Sequence, residues 1–481
     1  MDKGVEPLME QANRRIEADF IGEKQIDVEA YYGIQTLRAV ENFPITGYPI
    51  HSELIRSIAM VKKAAALANK ETGVLSADLT DAIVQAAEEI MEGKLHDQFL
   101  VDPIQGGAGT SLNMNANEVI ANRALELLGR KKGDYAFVSP NSHVNMSQST
   151  NDAFPTAIRI TTLVLLDQLL HTMTLLCEEF RRKAIEFDHV IKMGRTHLQD
   201  AVPIRLGQEF EAYALVLERD IKRVADTKYH LLEVNLGATA VGTGLNANLD
   251  YIERAVFHLG QISGYPLLKA GQLVDATQNT DCYTEVSASL KICMVNMSKI
   301  ANDLRLLASG PRAGLHELNL PPRQPGSSIM PGKVNPVIPE VINQIAFQVI
   351  GNDHTISLAS EAGQLELNVM EPVLVFNLIQ SLSMMERGLN VFRKYCIRGI
   401  TPNEVVMQEF VDKSIGIVTA INPYIGYEQA SEIAREALLT NRPIRQICIE
   451  RRVIAEEKLE EILNPFNMTR PNAHVPELVV K

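Results

Sequence analysis

The middle of the chain carries a sustained three-four alternation of apolar positions. After Pro155 they fall at Leu163, Leu166, Leu170, Met173, Cys177, Phe180, Ala184 and Phe187. A second series runs Leu206, Phe210, Tyr213, Leu217, Ile221, Val224 and Leu231, and a third Val286, Leu290, Cys293, Met297, Ile300, Leu304 and Leu307. That spacing predicts long helices with narrow apolar seams, which pack side by side as bundles at shallow angles. Asn151 and Asp152 are expected to cap the first helix, with Pro155 in its first turn. A fourth helical stretch covers about 336–392, with breaks expected near Gly351 and Pro372. The architecture expected is mainly α, in three domains. Residues 1–147 form a mixed, mostly helical N-terminal domain, 148–402 a central bundle of long helices, and 403–481 a small C-terminal helical domain.

Composition agrees with helix. The chain has no Trp, 12 Tyr and 14 Phe, but 16 Met, a set that favours helix over strand. Hydrophobic residues are 46% and charged residues 22% of the 481, the balance of a globular protein. Net charge is −13, which disfavours a nucleic-acid or anionic-membrane partner. The N-terminal stretch has no apolar leader-like core, and no run of 18 apolar residues occurs, so neither a signal peptide nor a membrane span is expected. The five cysteines are scattered and none forms CxxC. Reduced thiols in the cytoplasm are the expectation.

Four stretches are too polar and too small in side chain for scaffold alone: GGAGTSLNMNANE (106–118), SQSTND (147–152), GRTHLQD (194–200) and GSSIMPGKVNP (326–336). Hydroxyl and amide groups at predicted helix ends suit recognition of a polar anion. The last stretch superficially resembles a phosphate-binding loop. Five residues rather than four separate its glycines, and Val334 follows Lys333, so the nucleotide reading fails. A glycine-hinged loop carrying two serines and a cation is the better description. Lys333 could bind a carboxylate and favour a serine alkoxide. His197 has two readings, a buried histidine satisfied between helices or a functional group beside Thr196. His316-Glu317 lacks the second histidine of a zinc motif, and no metal-ligand cluster is visible.

SQSTND precedes the first long helix and GRTH follows it. About 33 helical residues separate them by about 50 Å. If both serve one pocket, different subunits must supply them.

These stretches resemble the aspartase/fumarase superfamily, with GSSIMPGKVNP matching its signature loop. The resemblance runs from EADFIGEKQIDVEAYYGIQTLRAVENFPI to NPYIGYEQASEIAREAL. VDPIQGGAGTSLNMNANEVIANRALELLG and NMSQSTNDAFPTA are closer to the branch that deaminates aspartate than to class II fumarases, which usually read TGSGTQSNMN and KSQSSNDTFPT. SPNSHVN departs from the fumarase HPNDDVN, which puts that branch's second anion site in doubt here.

The resemblance implies reversible conversion of L-aspartate to fumarate and ammonia. It implies a homotetramer with a twenty-helix core and active sites shared between subunits, and no metal or organic cofactor. By the same carry-over Ser327 is the general base, removing a proton to give an aci-carboxylate intermediate; the residues alone do not choose it over Ser328. Lys333 and Asn335 would hold the substrate, and Ser328 with the amides of Ile329 and Met330 would serve the aci-carboxylate. Thr110, Ser149, Thr150 and Asn151 would bind the carboxylates and amino group. Thr196 and His197 would bind the distal carboxylate, with Glu340 behind His197. Competing readings are a fumarase-type hydratase, a lyase for a substituted aspartate, and a non-catalytic helical scaffold.

Overall fold

The computed structural model describes residues 13–471. Most of the stretch read for a leader lies outside them. The helices of eight residues or more are α1 (Ile34–Asn42), α2 (Ser52–Glu71), α3 (Ala77–Met91), α4 (Thr110–Leu127), α5 (Thr150–Glu186), α6 (Leu206–Asp226), α7 (Leu249–Ser263), α8 (Asp281–Leu307), α9 (Val337–Glu361), α10 (Glu371–Tyr395), α11 (Glu404–Lys413), α12 (Tyr427–Thr440) and α13 (Ile444–Arg451). Among the described residues, sheet is confined to two-stranded pairs. The longer pairs are the antiparallel hairpins β1 (Arg14–Asp19) with β2 (Gly22–Asp27) and β3 (Ile191–Thr196) with β4 (Gln199–Arg205).

The mainly helical fold follows from the seams. All seven positions of the third series, on α8, are buried, as are six of seven in the second. On α5 the seam is wider than its spacing predicts: every residue from Asp152 to Leu163 is buried. By length and hydropathy alone α5 could cross a bilayer, but 61% of that apolar window is buried within the chain. It carries buried Thr156, Arg159, Thr161 and Thr162, the polar content of a core helix.

The expected break at Gly351 does not occur, because α9 runs through it. A helical glycine costs only about 1 kcal/mol, and Val349, Asn352 and Ile356 around it are buried. The interruption comes at 362–370, and Pro372 is the second residue of α10, where a missing N–H costs no helical bond.

The chain divides into two compact units. The first comprises residues 1–170, 222–292 and 347–385, and the second residues 171–221, 293–346 and 386–481. All five divisions fall inside long helices, one each in α5, α6, α8, α9 and α10. In the first unit α2 packs on α3 and α7, and α4 on α3 and α1. The nine-residue α1 is started by two buried carboxylates. Glu118 accepts from the N–H groups of Gly33, Gln35 and Thr36 and from the Thr36 hydroxyl, and Glu17 accepts from Ile34 N–H. In the second unit Met193 of β3 shares a core with Val411, Ile433, Ile447 and Leu459 from the C-terminal helices.

Candidate active site

In the first unit the chemistry begins at the head of α5. The cap is Ser149 rather than the expected Asn151 and Asp152. Ser149 Oγ accepts from Asn151 N–H at 3.2 Å, and Asp152 Oδ1 accepts from Ser149 N–H at 3.0 Å. This is a reciprocal capping box with an aspartate in its acidic position. Pro155 lies at the sixth helical position, beyond the first turn. It has no N–H to offer the Asn151 carbonyl. Asn235 Nδ2 donates to that carbonyl instead, at 3.0 Å.

Asp152 fixes the neighbouring loop. Its Oδ2 accepts from the N–H groups of Gly237 at 3.1 Å and Thr239 at 2.9 Å, and Asn151 Nδ2 donates to Ala240 O at 2.7 Å. Burial pushes the Asp152 carboxyl up to about 6, against these N–H groups and the charge of Lys62.

The head of α4 lies alongside. Residues 107–109 all have positive φ, and Gly109 is irreplaceable there: a Cβ would sit 2.3 Å from the Phe154 ring. Thr110 opens α4 and is exposed. Two helix N-termini, each with a partial positive charge, thus present Thr110 and Thr150.

Beneath them is a polar network in which Lys62 and Asn113 are buried and Asn145 and Gln148 half-buried. Lys62 Nζ donates to Asn113 Oδ1 at 2.6 Å, Gln148 Oε1 at 2.9 Å and Asn145 Oδ1 at 3.0 Å. Asn113 Nδ2 donates to Thr150 Oγ1 at 3.0 Å. Burial pushes the Lys62 ammonium down to about 7, with Asp152 the opposing charge. Sequence reasoning missed Lys62 and Asn145. Asn113 and Gln148 lie within two of the four polar stretches, but Lys62 sits in an Ala-rich helix beside exposed-type lysines with nothing to mark it.

In the second unit the β3–β4 hairpin carries Thr196 and His197. His197 and Leu198 form its two-residue tip, both with positive φ. Such turns normally take Asn-Gly; non-glycine side chains there store strain, which marks functional segments. His197 is exposed at the tip, so it is not the histidine satisfied between helices. The hairpin is anchored by Glu317, fully buried, whose carboxylate pairs with Arg195 through two bonds of 2.9 and 3.0 Å and with Lys192 at 3.4 Å.

The 326–335 loop closes on its own neck. Gly326 N–H donates to Lys333 O at 2.8 Å, and Asn335 Nδ2 donates to Gly326 O at 2.7 Å. A Cβ on Gly326 would lie 2.7 Å from Asn335 N. Ser327 Oγ accepts from the N–H groups of Ile329 at 3.2 Å and Met330 at 3.0 Å. Those two amides therefore face Ser327 in this structure. Ser328, Ile329, Met330 and Lys333 are exposed along the loop. Glu340 is half-buried in the first turn of α9, and among the described residues it makes no ion pair with His197.

The sequence-predicted residues thus fall into two groups. Thr110, Ser149, Thr150 and Asn151 gather in the first unit, and Thr196, His197, Ser327, Ser328, Ile329, Met330, Lys333, Asn335 and Glu340 belong to the second. The first group offers hydroxyls and helix N-termini to an anion. The second offers a serine oxygen held by two amides, in a loop that also carries a cation.

Comparisons with known proteins bear on what these groups do. A family profile described as lyase matches residues 22–351, and one described as fumarase C C-terminus matches residues 417–470. The chain is 68% identical to an aspartate ammonia-lyase of Bacillus subtilis, over 98% of this chain and 99% of that protein. Among solved structures, a fumarate lyase:delta crystallin of Brucella melitensis superposes with a TM-score of 0.93 at 49% identity, covering 95% of this chain and all of the other. A class II fumarase of Schistosoma mansoni gives 0.89 at 34% identity, over 95% and 99% of the two chains.

Proposed function

The chain belongs to the lyase family that contains the aspartate ammonia-lyases, and from that premise we propose that it converts L-aspartate reversibly to fumarate and ammonia with Ser327 as the base. The observation that carries the reading is the pair of backbone N–H groups on Ser327 Oγ. A serine is far too weak a base at neutral pH unless its alkoxide is stabilised. Two amides aimed at one oxygen provide that stabilisation, and Lys333 adds positive charge to the same loop.

The base takes a proton from the carbon beside the distal carboxylate. The electron pair moves into that carboxylate, giving a doubly charged aci-form whose stabilisation needs preorganised donors. Collapse of the aci-form makes the carbon–carbon double bond and breaks the bond to nitrogen. The substrate ammonium leaves as neutral ammonia, so the departing group needs no acid. Thr110, Ser149, Thr150 and Asn151 bind carboxylate and amino groups. Thr196 and His197 hold the distal carboxylate, with Lys333, Asn335 and Ser328 on the loop side. Asn335 Nδ2 holds Gly326 O, which leaves its side-chain oxygen for the substrate ammonium.

The assembly in this reading is a homotetramer with sites composed from several subunits. One support is length: the 37 residues of α5 span about 55 Å, with Thr150 at the head and Thr196 beyond the tail. Another is an apolar face on α9, where Phe347, Ile350 and Leu358 are exposed on either side of Gly351, as a packed helix of a second copy would require.

The decisive experiment follows fumarate by ultraviolet absorbance, with L-aspartate and L-malate offered separately. Fumarate from aspartate alone, matched by equal ammonia, is the expected result; fumarate from malate alone would assign a fumarase instead. Shared sites have their own test. Thr150→Ala and Ser327→Ala proteins, assayed at L-aspartate far below the KM of the threonine variant where neither turns over appreciably, should regain measurable activity when mixed under subunit exchange. No recovery in verified mixed tetramers would refute shared sites.

A further inference from the structure

Lys62 is a lysine with no exposure to solvent, and the mechanism above gives it no role. All three of its N–H groups are committed to side-chain amide oxygens, those of Asn113, Asn145 and Gln148. It therefore has no donor left for a substrate. Its influence must pass through what it holds.

An ammonium can face only acceptors. The Asn113 amide is thereby fixed, oxygen toward Lys62 and NH2 away from it. That NH2 donates to Asn145 Oδ1 at 3.2 Å and to Thr150 Oγ1 at 3.0 Å. Asn145 is held in the same sense, because its Oδ1 also accepts from Asn117 Nδ2 at 3.1 Å. Gln148 is fixed with its oxygen on Lys62 and its NH2 on the carbonyls of Val144 and Met146. Every amide in the cluster has one permitted orientation while the lysine is in place.

Thr150 is the end of this chain of bonds. Its hydroxyl oxygen is occupied as an acceptor by Asn113, and its own proton has no acceptor among the described residues. A threonine so arranged cannot give its proton to Asn113 and has it available to donate outward, toward whatever lies at the head of α5.

We propose that Lys62 is a positioning residue that, by fixing the Asn113 amide, makes the Thr150 hydroxyl an obligatory hydrogen-bond donor to a substrate carboxylate. The proposal rests on the aspartate reading of the site. Burial lowers the Lys62 ammonium toward neutrality, so a site with only scaffold duties would be better served by an apolar side chain of similar length.

Two variants test it. In Lys62→Met the Asn113 oxygen loses its donor, and only the 3.2 Å bond to Asn145 Oδ1 still opposes a rotation that would present that oxygen to Thr150 and turn the hydroxyl proton inward. Asn113→Asp keeps an acceptor for Lys62 but has no NH2 for Thr150, so it reverses the same bond while leaving the lysine satisfied. A hydrogen bond to a charged group is worth about 1.5–3 kcal/mol, so each variant should raise KM for L-aspartate by about ten- to a hundredfold, with a much smaller change in kcat. A purely structural lysine would lower the amount of active enzyme, and so kcat, at unchanged KM. In a Thr150→Val background, Asn113→Asp should add no further rise in KM.

An unchanged KM in Asn113→Asp, or full additivity with Thr150→Val, would overturn the proposal. Should Lys62→Met fail to fold, Asn113→Asp and the double variant still decide it. The wild-type protein separates the two claims. If it converts aspartate and the variants keep its KM, this proposal alone falls. If it is inert toward aspartate, both fall.

Discussion

Ser327→Ala should lower kcat for L-aspartate by about a thousandfold or more, with KM changed little. A positioned general base contributes roughly 10²–10⁴-fold, and no other group in the loop can replace an alkoxide held by two amides. The fold should survive, because among the described residues Ser327 Oγ hydrogen-bonds only with amides of its own loop. Ser328→Ala is the necessary companion. Among the described residues Ser328 receives no hydrogen bond at its hydroxyl, and its loss should cost far less. Equal losses in the two variants, or near-normal turnover in Ser327→Ala, would remove Ser327 as the base.

The second large effect concerns the hairpin that carries Thr196 and His197. Glu317→Ala should destabilise the protein by about 3 kcal/mol, because breaking a buried ion pair leaves an uncompensated charge. Arg195 would lose both of its bonds to the carboxylate, while Lys192 would keep Glu209 at 2.8 Å. The measurement is urea unfolding at fixed protein concentration, read as a shift in midpoint at unchanged slope. A loss below about 1 kcal/mol would mean the Arg195 guanidinium reaches water once the carboxylate is gone, as its partial exposure (14%) would allow. Glu317→Gln keeps one acceptor for Arg195 and should fall between the two proteins.

The long helices were legible because each seam repeats over many turns, and burial follows the repeat closely on α6 and α8. What the spacing could not show is the width of the contact around α5. Its first turns are enclosed on every side, and Thr156, Thr161 and Thr162 read as polar although the fold buries them. The error at Gly351 has a similar origin, since a local breaker was outweighed by the buried neighbours that hold α9 together. Ser149, Asn151 and Asp152 are all good capping types, so the sequence does not single out Ser149, and the same aspartate completes the box from inside the helix.

The β3–β4 hairpin was read only as a loop after a helix. It has bulk on both faces and a two-residue tip without glycine, so neither alternation nor turn chemistry announced it. At the site, residues lying in the four polar stretches were recognisable by type. Lys62 and Asn235 were not, because each acts on a residue more than fifty positions away and sits in an unremarkable neighbourhood. Glu317 stood in view beside His316, but its role as the hairpin's anchor depends on where Arg195 and Lys192 are brought by the fold.

Pro155 has one more implication. The Asn151 carbonyl, left without a helical donor, is completed from Asn235, 84 residues further along the chain. The first turn of α5 is therefore not self-sufficient. A peptide corresponding to residues 148–186 would fray at its head, and a growing chain cannot finish that turn until the segment around Asn235 has been made and docked. The residues that would grip the substrate amino group thus acquire their geometry late in folding, after the helix behind them has already formed.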